Sequence, residues 1–89
     1  MVAVAITIDQ TGAVVAGPSI ATRGVIHVKE NEALIEELRA TVSEAVAGLE
    51  PVERRDRELL AERMRFAVRR FVNQRFQRKP VVLPMILEA

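Results

Sequence analysis

The spacing of apolar positions along the chain changes period more than once. From Val2 to Ile8 it is two: Val2, Val4, Ile6 and Ile8 fall on one face, with Ala3, Ala5 and Thr7 on the other. That alternation of β-branched residues predicts a strand with one buried face. The small residues of the second face suit the close approach of a helix. Asp9-Gln-Thr-Gly12 is a turn signal, because glycine reaches positive φ without strain. Val14-Val-Ala16 returns, so residues 2–16 read as a β-hairpin. Gly17-Pro18 breaks or bulges the second strand, and Ser19–Thr22 resumes it. Arg23-Gly24 marks a further bend. Val25–Val28 is another short extended piece, either a strand of its own or the tail of the second.

Beyond Asn31 the period becomes helical. Asn31 is placed to cap a helix, and Glu32, Glu36 and Glu37 lie where the dipole favours acids. Leu34, Ile35, Leu38, Val42, Ala45, Val46 and Leu49 form one stripe, and Gly48 with Pro51 stops it. A second helix is expected from near Val52–Asp56 to about Phe76, with its main stripe at Leu60, Met64, Ala67, Val68 and Phe71. Leu59 and Phe66 lie on a separate line beside Arg63 and Arg70. A monomer with one core has no evident use for that line.

Lys79-Pro80 ends the helical region. Val81–Leu87 reads as a last strand, apolar on both faces and so expected to be covered on both. Pro84 has no N–H to donate, which places it at an edge or a bulge. The order β-β-(β)-α-α-β predicts an α+β fold. It is a small two-layer sandwich, three-stranded (four-stranded if Val25–Val28 pairs separately), with two helices on one face. The sheet face without helices still carries Val and Leu, which calls for a cover from outside these residues.

Composition narrows the chemistry. The 89 residues suffice for one domain with a modest core, and no deep cleft between lobes fits. There is no cysteine, and His27 is the single histidine, so disulfides, thiolate sites and a multi-histidine zinc site within the chain are excluded. No apolar run approaches a membrane span, and Val2–Ile6 is too short for a signal peptide. A cytoplasmic protein without membrane contact is the expectation. Ser19 and Ser43 have no base partner in view but His27, and Gly12, Gly17 and Gly24 lack phosphate-loop spacing. Glu32, Glu36 and Glu37 read as a solvated face, and His27 as a strand histidine satisfied by a neighbour.

The net charge of +1 hides a strong asymmetry. Residues 1–50 carry three basic and seven acidic groups, whereas residues 51–89 carry ten and five. Arg63 to Lys79 holds seven basic residues and no acid. Arg63, Arg65, Arg69, Arg70, Arg78 and Lys79 are therefore candidates for contact with RNA phosphates or an acidic protein surface. The competing reading is a solvated helix face with cations near its C-terminus. The acidic 30–44 segment complements this cluster, within one chain or between two. No strand offers an exposed aromatic for base stacking. Arg23-Gly24 is either a functional loop or an exposed bend. Leu59, Phe66, Val81, Leu83, Met85 and Leu87 are the candidates for a dimer interface.

Several segments occur in a familiar order: Thr7-Ile-Asp9, Gly17-Pro18, Ser19-Ile-Ala-Thr-Arg-Gly-Val-Ile-His-Val28, an acidic helix, an arginine-rich helix, and Arg78-Lys-Pro-Val-Val-Leu-Pro-Met-Ile-Leu-Glu88. Across essentially the whole chain this resembles the C-terminal domain of ribonuclease J. The resemblance implies a parent enzyme of RNA processing and decay, acting as a 5′-to-3′ exonuclease and sometimes as an endonuclease. It would carry metallo-β-lactamase and β-CASP domains and two metal ions, usually zinc. The small C-terminal domain would support oligomerisation and activity. The His/Asp metal motif is missing here, with only Asp9, Asp56 and His27 of those types present. The expectation is thus a non-catalytic appendage, without cofactor of its own. Its expected partners are a second copy of itself, the catalytic domains of the enzyme, and RNA as the alternative.

Overall fold

A computed structural model of the chain describes residues 1–23 and 32–89. The elements are β1 (Val2–Ile8), β2 (Val14–Thr22), α1 (Glu32–Ala47), α2 (Pro51–Arg54), α3 (Arg57–Phe76) and β3 (Val82–Glu88). They form an α+β domain with a three-stranded sheet in the order β2-β1-β3. The proposed third extended piece at Val25–Val28, the Asn31 cap, His27 and Gly24 lie outside the described residues.

The hairpin closes on Asp9. Its Oδ1 accepts hydrogen bonds from the Thr11 hydroxyl (2.6 Å), the Thr11 N–H (2.8 Å) and the Ala13 N–H (3.0 Å). The Thr11 hydroxyl first, then the Ala13 and Thr11 amides, hold the Asp9 carboxyl below its ordinary 3.8. Gly12 sits at φ 88° with its backbone against Pro51; a Cβ there would lie 2.3 Å from the Pro51 carbonyl oxygen. Expected from the sequence as a turn glycine, it also allows α2 to approach.

Register shows how β2 passes Gly17-Pro18. Ala5 pairs with Ser19 and Thr7 with Ala16, and then Ile8 with Val14, so β2 carries one extra residue at each of two places. The strand is bulged and then resumes. Gly17, at φ 90°, sits within reach of Ala5, where a Cβ would be 2.7 Å from the carbonyl oxygen.

The stripes read from the sequence are the core. Val2, Val4, Ile6 and Ile8 meet Leu38, Val42 and Val46 from α1, Leu49 just beyond it, and Leu60, Met64, Ala67, Val68 and Phe71 from α3. Full burial of each large side chain contributes about 1.5–3 kcal/mol. Val72 is also fully buried, which widens the α3 stripe by one residue. Three expectations change. The large face of β1, rather than its alanine face, lies under the helices, because branched side chains fill the space between layers. The second helix is divided: Glu50 and Glu53 close a capping box on α2, and Asp56 then caps α3 by accepting from the Leu59 N–H (3.2 Å). Without Asp56, the first amides of α3 would lack that side-chain acceptor. Finally, β3 is covered on one face only. Val82 is buried and Ile86 half-buried, whereas Leu83, Met85 and Leu87 are exposed.

Candidate functional site

The site follows from strand alternation. β3 runs parallel to β1 in continuous register, Ala3 beside Leu83, Ala5 beside Met85 and Thr7 beside Leu87. On the other side of β1, Ala21, Ser19 and Ala16 stand opposite the same three residues. Because neighbouring side chains in register share a face, the helix-free face has two parts. Small residues from β1 and β2 make a shallow trough. Val81, Leu83, Met85 and Leu87 make an apolar ridge beside it, each between 45% and 64% exposed.

β3 is an edge strand, and Pro84 fits there for a specific reason. The Val2 N–H donates to the Val81 carbonyl (2.8 Å) and the Ala89 N–H to the Ile8 carbonyl (2.9 Å). With alternation along the parallel ladder, the amides of odd-numbered residues point to β1 and those of even-numbered residues point outward. Position 84 is therefore an outward donor position, and proline leaves it empty. This interrupts the row of donors that another strand would use. The ridge faces out from the sheet plane, not along the blunted edge.

The remaining interface candidates are elsewhere. Leu59 is half-buried near the start of α3, and Phe66 is 62% exposed midway along it. They belong to the helix layer, on the opposite side of the molecule from the ridge. Phe66 stands instead among arginines. A groove of about 470 Å³ is lined by Arg63, Phe66, Arg70, Phe71 and Arg75, together with Thr41 and Ala45 of α1. A second, of about 320 Å³, is lined by Phe66, Arg69, Arg70, Asn73 and Lys79. Phe66 and Arg70 border both.

The cations differ in what they touch. Arg65 pairs with Glu62 on its own helix. Arg75 reaches across to Glu37 of α1 (2.9 Å) and lies over the Phe71 ring, 4.9 Å from its centre. Among the described residues this is the one ion pair joining the two long helices, so the complementarity of the acidic and basic segments is met within the chain at a single point. Arg63, Arg69, Arg70 and Lys79 form no ion pair among the described residues. Arg78 is exposed past the end of α3. Arg23 ends the paired part of β2: its N–H donates to the Met1 carbonyl, and its carbonyl accepts from the Met1 nitrogen, each at 2.8 Å.

One residue that sequence reasoning passed over organises the opposite end. Arg54 donates from Nε to the Gly12 carbonyl (2.6 Å) and from one terminal nitrogen to Leu49 O (2.7 Å) and Val46 O (3.3 Å). α1 has no basic residue in its last turn, and Arg54 supplies the missing cation from outside the helix. No spacing rule flags an arginine that caps a preceding helix.

The fold and these surfaces define a class: a small α+β domain with one open apolar sheet face and one cationic helix surface. The family description "Ribonuclease J C-terminal domain" matches residues 1–89. The chain is similar to Ribonuclease J2 of Bacillus subtilis (strain 168), 35% identical over 86 residues, which is 96% of this chain and 16% of that protein. It is 33% identical over 76 residues to Ribonuclease J 2 of Staphylococcus saprophyticus and, equally, of Staphylococcus aureus (strain NCTC 8325), covering 84% of this chain and 14% of each relative. The chain belongs to the ribonuclease J C-terminal domain family and spans about one sixth or less of the length of those relatives. No helix among the described residues is long and apolar enough to cross a membrane.

Proposed function

We propose that this domain is a non-catalytic assembly module of a cytoplasmic RNA-processing and RNA-decay ribonuclease, acting through its open sheet face. The observation that carries the proposal is the ridge of Val81, Leu83, Met85 and Leu87 beside the alanine trough. A ridge next to a trough is self-complementary under a two-fold axis: the ridge of each copy enters the trough of the other. Face-to-face packing also satisfies the demand for cover on the second face of β3, and Pro84 disfavours edge-to-edge pairing. The catalytic domains of the enzyme, with their zinc, are further partners in this reading. Sedimentation equilibrium on the chain tests it. The wild-type chain should weigh as a dimer, and Leu83→Glu with Leu87→Glu should weigh as a monomer with unchanged circular dichroism. A wild-type monomer at every concentration would remove self-association and leave the face to the catalytic domains.

A second reading is supported by a separate observation. Arg63, Arg69, Arg70 and Lys79 lie close together without carboxylate partners among the described residues. In that reading the helix surface contacts RNA phosphates as an accessory to the enzyme.

A further inference from the structure

We propose that Phe66 is a base-stacking platform that makes the cationic surface of α3 selective for single-stranded RNA. This rests on the second reading above and names the form of nucleic acid and the residue that selects it.

A solvated helix face accounts for the arginines but not for Phe66. The ring is 62% exposed, within the acid-free segment, while the core stripe passes it by on the other side of α3. It stands as a rib between two grooves with cations in each: Arg63, Arg70 and Arg75 in one, Arg69, Arg70 and Lys79 in the other. Arg63, Phe66 and Arg70 follow one another at spacings of three and four, so they share one side of the helix. The three span about 10 Å along the axis.

A ligand that fits must carry negative charge on both sides of a flat apolar group. A single-stranded nucleic acid does so at every nucleotide: the base presents a π-face, and the phosphates before and after it are free to enter neighbouring grooves. The grooves, about 470 and 320 Å³, are of the size that holds a small ligand. A duplex has the phosphates but keeps its bases stacked on one another, so Phe66 would find no exposed face. An acidic peptide offers the ring a flat partner only where an aromatic residue falls between its carboxylates, whereas a single strand offers one at every nucleotide. Arg75 is already held over Phe71 by its pairing with Glu37, which shows that guanidinium–aromatic packing is formed within this groove.

The experiment is fluorescence anisotropy on the chain with a labelled single-stranded oligoadenylate RNA, and with a duplex RNA of the same length, across a salt series. The wild type should bind the single strand more tightly than the duplex. Phe66→Leu, which keeps an apolar side chain and removes the ring, should weaken single-strand binding about 5- to 100-fold. It should leave the slope of log affinity against log salt unchanged, because no phosphate contact is lost. Arg70→Gln should instead reduce that slope by about one. Equal affinity for the duplex, or a Phe66→Leu variant that binds as well as wild type, would overturn the stacking role while leaving phosphate contact standing. Absence of RNA binding, with or without binding to polyglutamate, would overturn both this inference and the reading beneath it.

Discussion

Removing Arg54 should loosen three elements at once. Its guanidinium joins the hairpin turn at Gly12 to the Val46 carbonyl in the last turn of α1 and to the Leu49 carbonyl just beyond the helix. Arg54→Met keeps much of the apolar stem and deletes all three bonds. A hydrogen bond from a charged donor contributes about 1.5–3 kcal/mol, and a cation at a helix C-terminus about 0.3–1 kcal/mol. The three bonds share one group and are not additive, and Arg54 is only partly buried, so water replaces some of what is lost. The expected cost is about 2–4 kcal/mol, a large part of the roughly 5–13 kcal/mol available to a domain of this length. At about 4–8 °C per kcal/mol, the melting temperature should fall by about 8–32 °C. Arg54→Lys retains the charge but cannot address three carbonyls in one geometry, so it should recover about half of the loss. Thermal and urea unfolding followed by circular dichroism measure this. A melting temperature for Arg54→Met within about 3 °C of wild type would show that the arginine is not the tie that its geometry describes.

Other perturbations address single elements. Asp9→Asn should lower stability at neutral pH. The Asp9 carboxyl is held below 3.8 in the folded state, so its stabilisation is complete above that value and disappears as pH falls through the folded-state pKa. The gap between wild type and variant in pH-dependent unfolding should close accordingly; a gap constant down to strong acid would refute this. Gly17→Ala should destabilise by more than about 1–2 kcal/mol, because it adds a close approach to the Ala5 carbonyl on top of a left-handed φ. Leu38→Ala, at a fully buried position, should cost about 2–5 kcal/mol in urea unfolding.

The elements were legible because burial leaves a period. Val2 to Ile8 alternate, and the stripes from Leu34 to Leu49 and from Leu60 to Phe71 are those that pack together. What periodicity does not carry is partnership. Nothing in Val81–Leu87 says that it pairs with β1 in parallel, so nothing says which of its apolar faces remains open. Leu59 and Phe66 stood out correctly from the core stripe, but a helical wheel cannot place them in the layer opposite Leu83 and Met85. From the sequence the ring of Phe66 is a candidate for a dimer interface; its position as the rib shared by two cationic grooves depends on which side chains surround it in space. Asp56 read as part of a helix start region, and its role became definite only when its carboxylate met the Leu59 amide.

The middle strand of the sheet is the first to be made, and one of its two neighbours is the last. Val2 pairs with Val82 across 80 residues of chain, whereas Ile8 and Val14 meet across a tight turn. On a ribosome, β1 therefore leaves with one edge bare and waits until residues 82–88 have emerged. Over that interval a half-built sheet has an open seam next to its most apolar strand, the kind of edge that attracts foreign strands. Sealing it is a distant contact made late, which favours one concerted folding event over stepwise growth. A ribosome stalled before residue 82 should present a chain that is rich in helix yet sensitive to protease throughout.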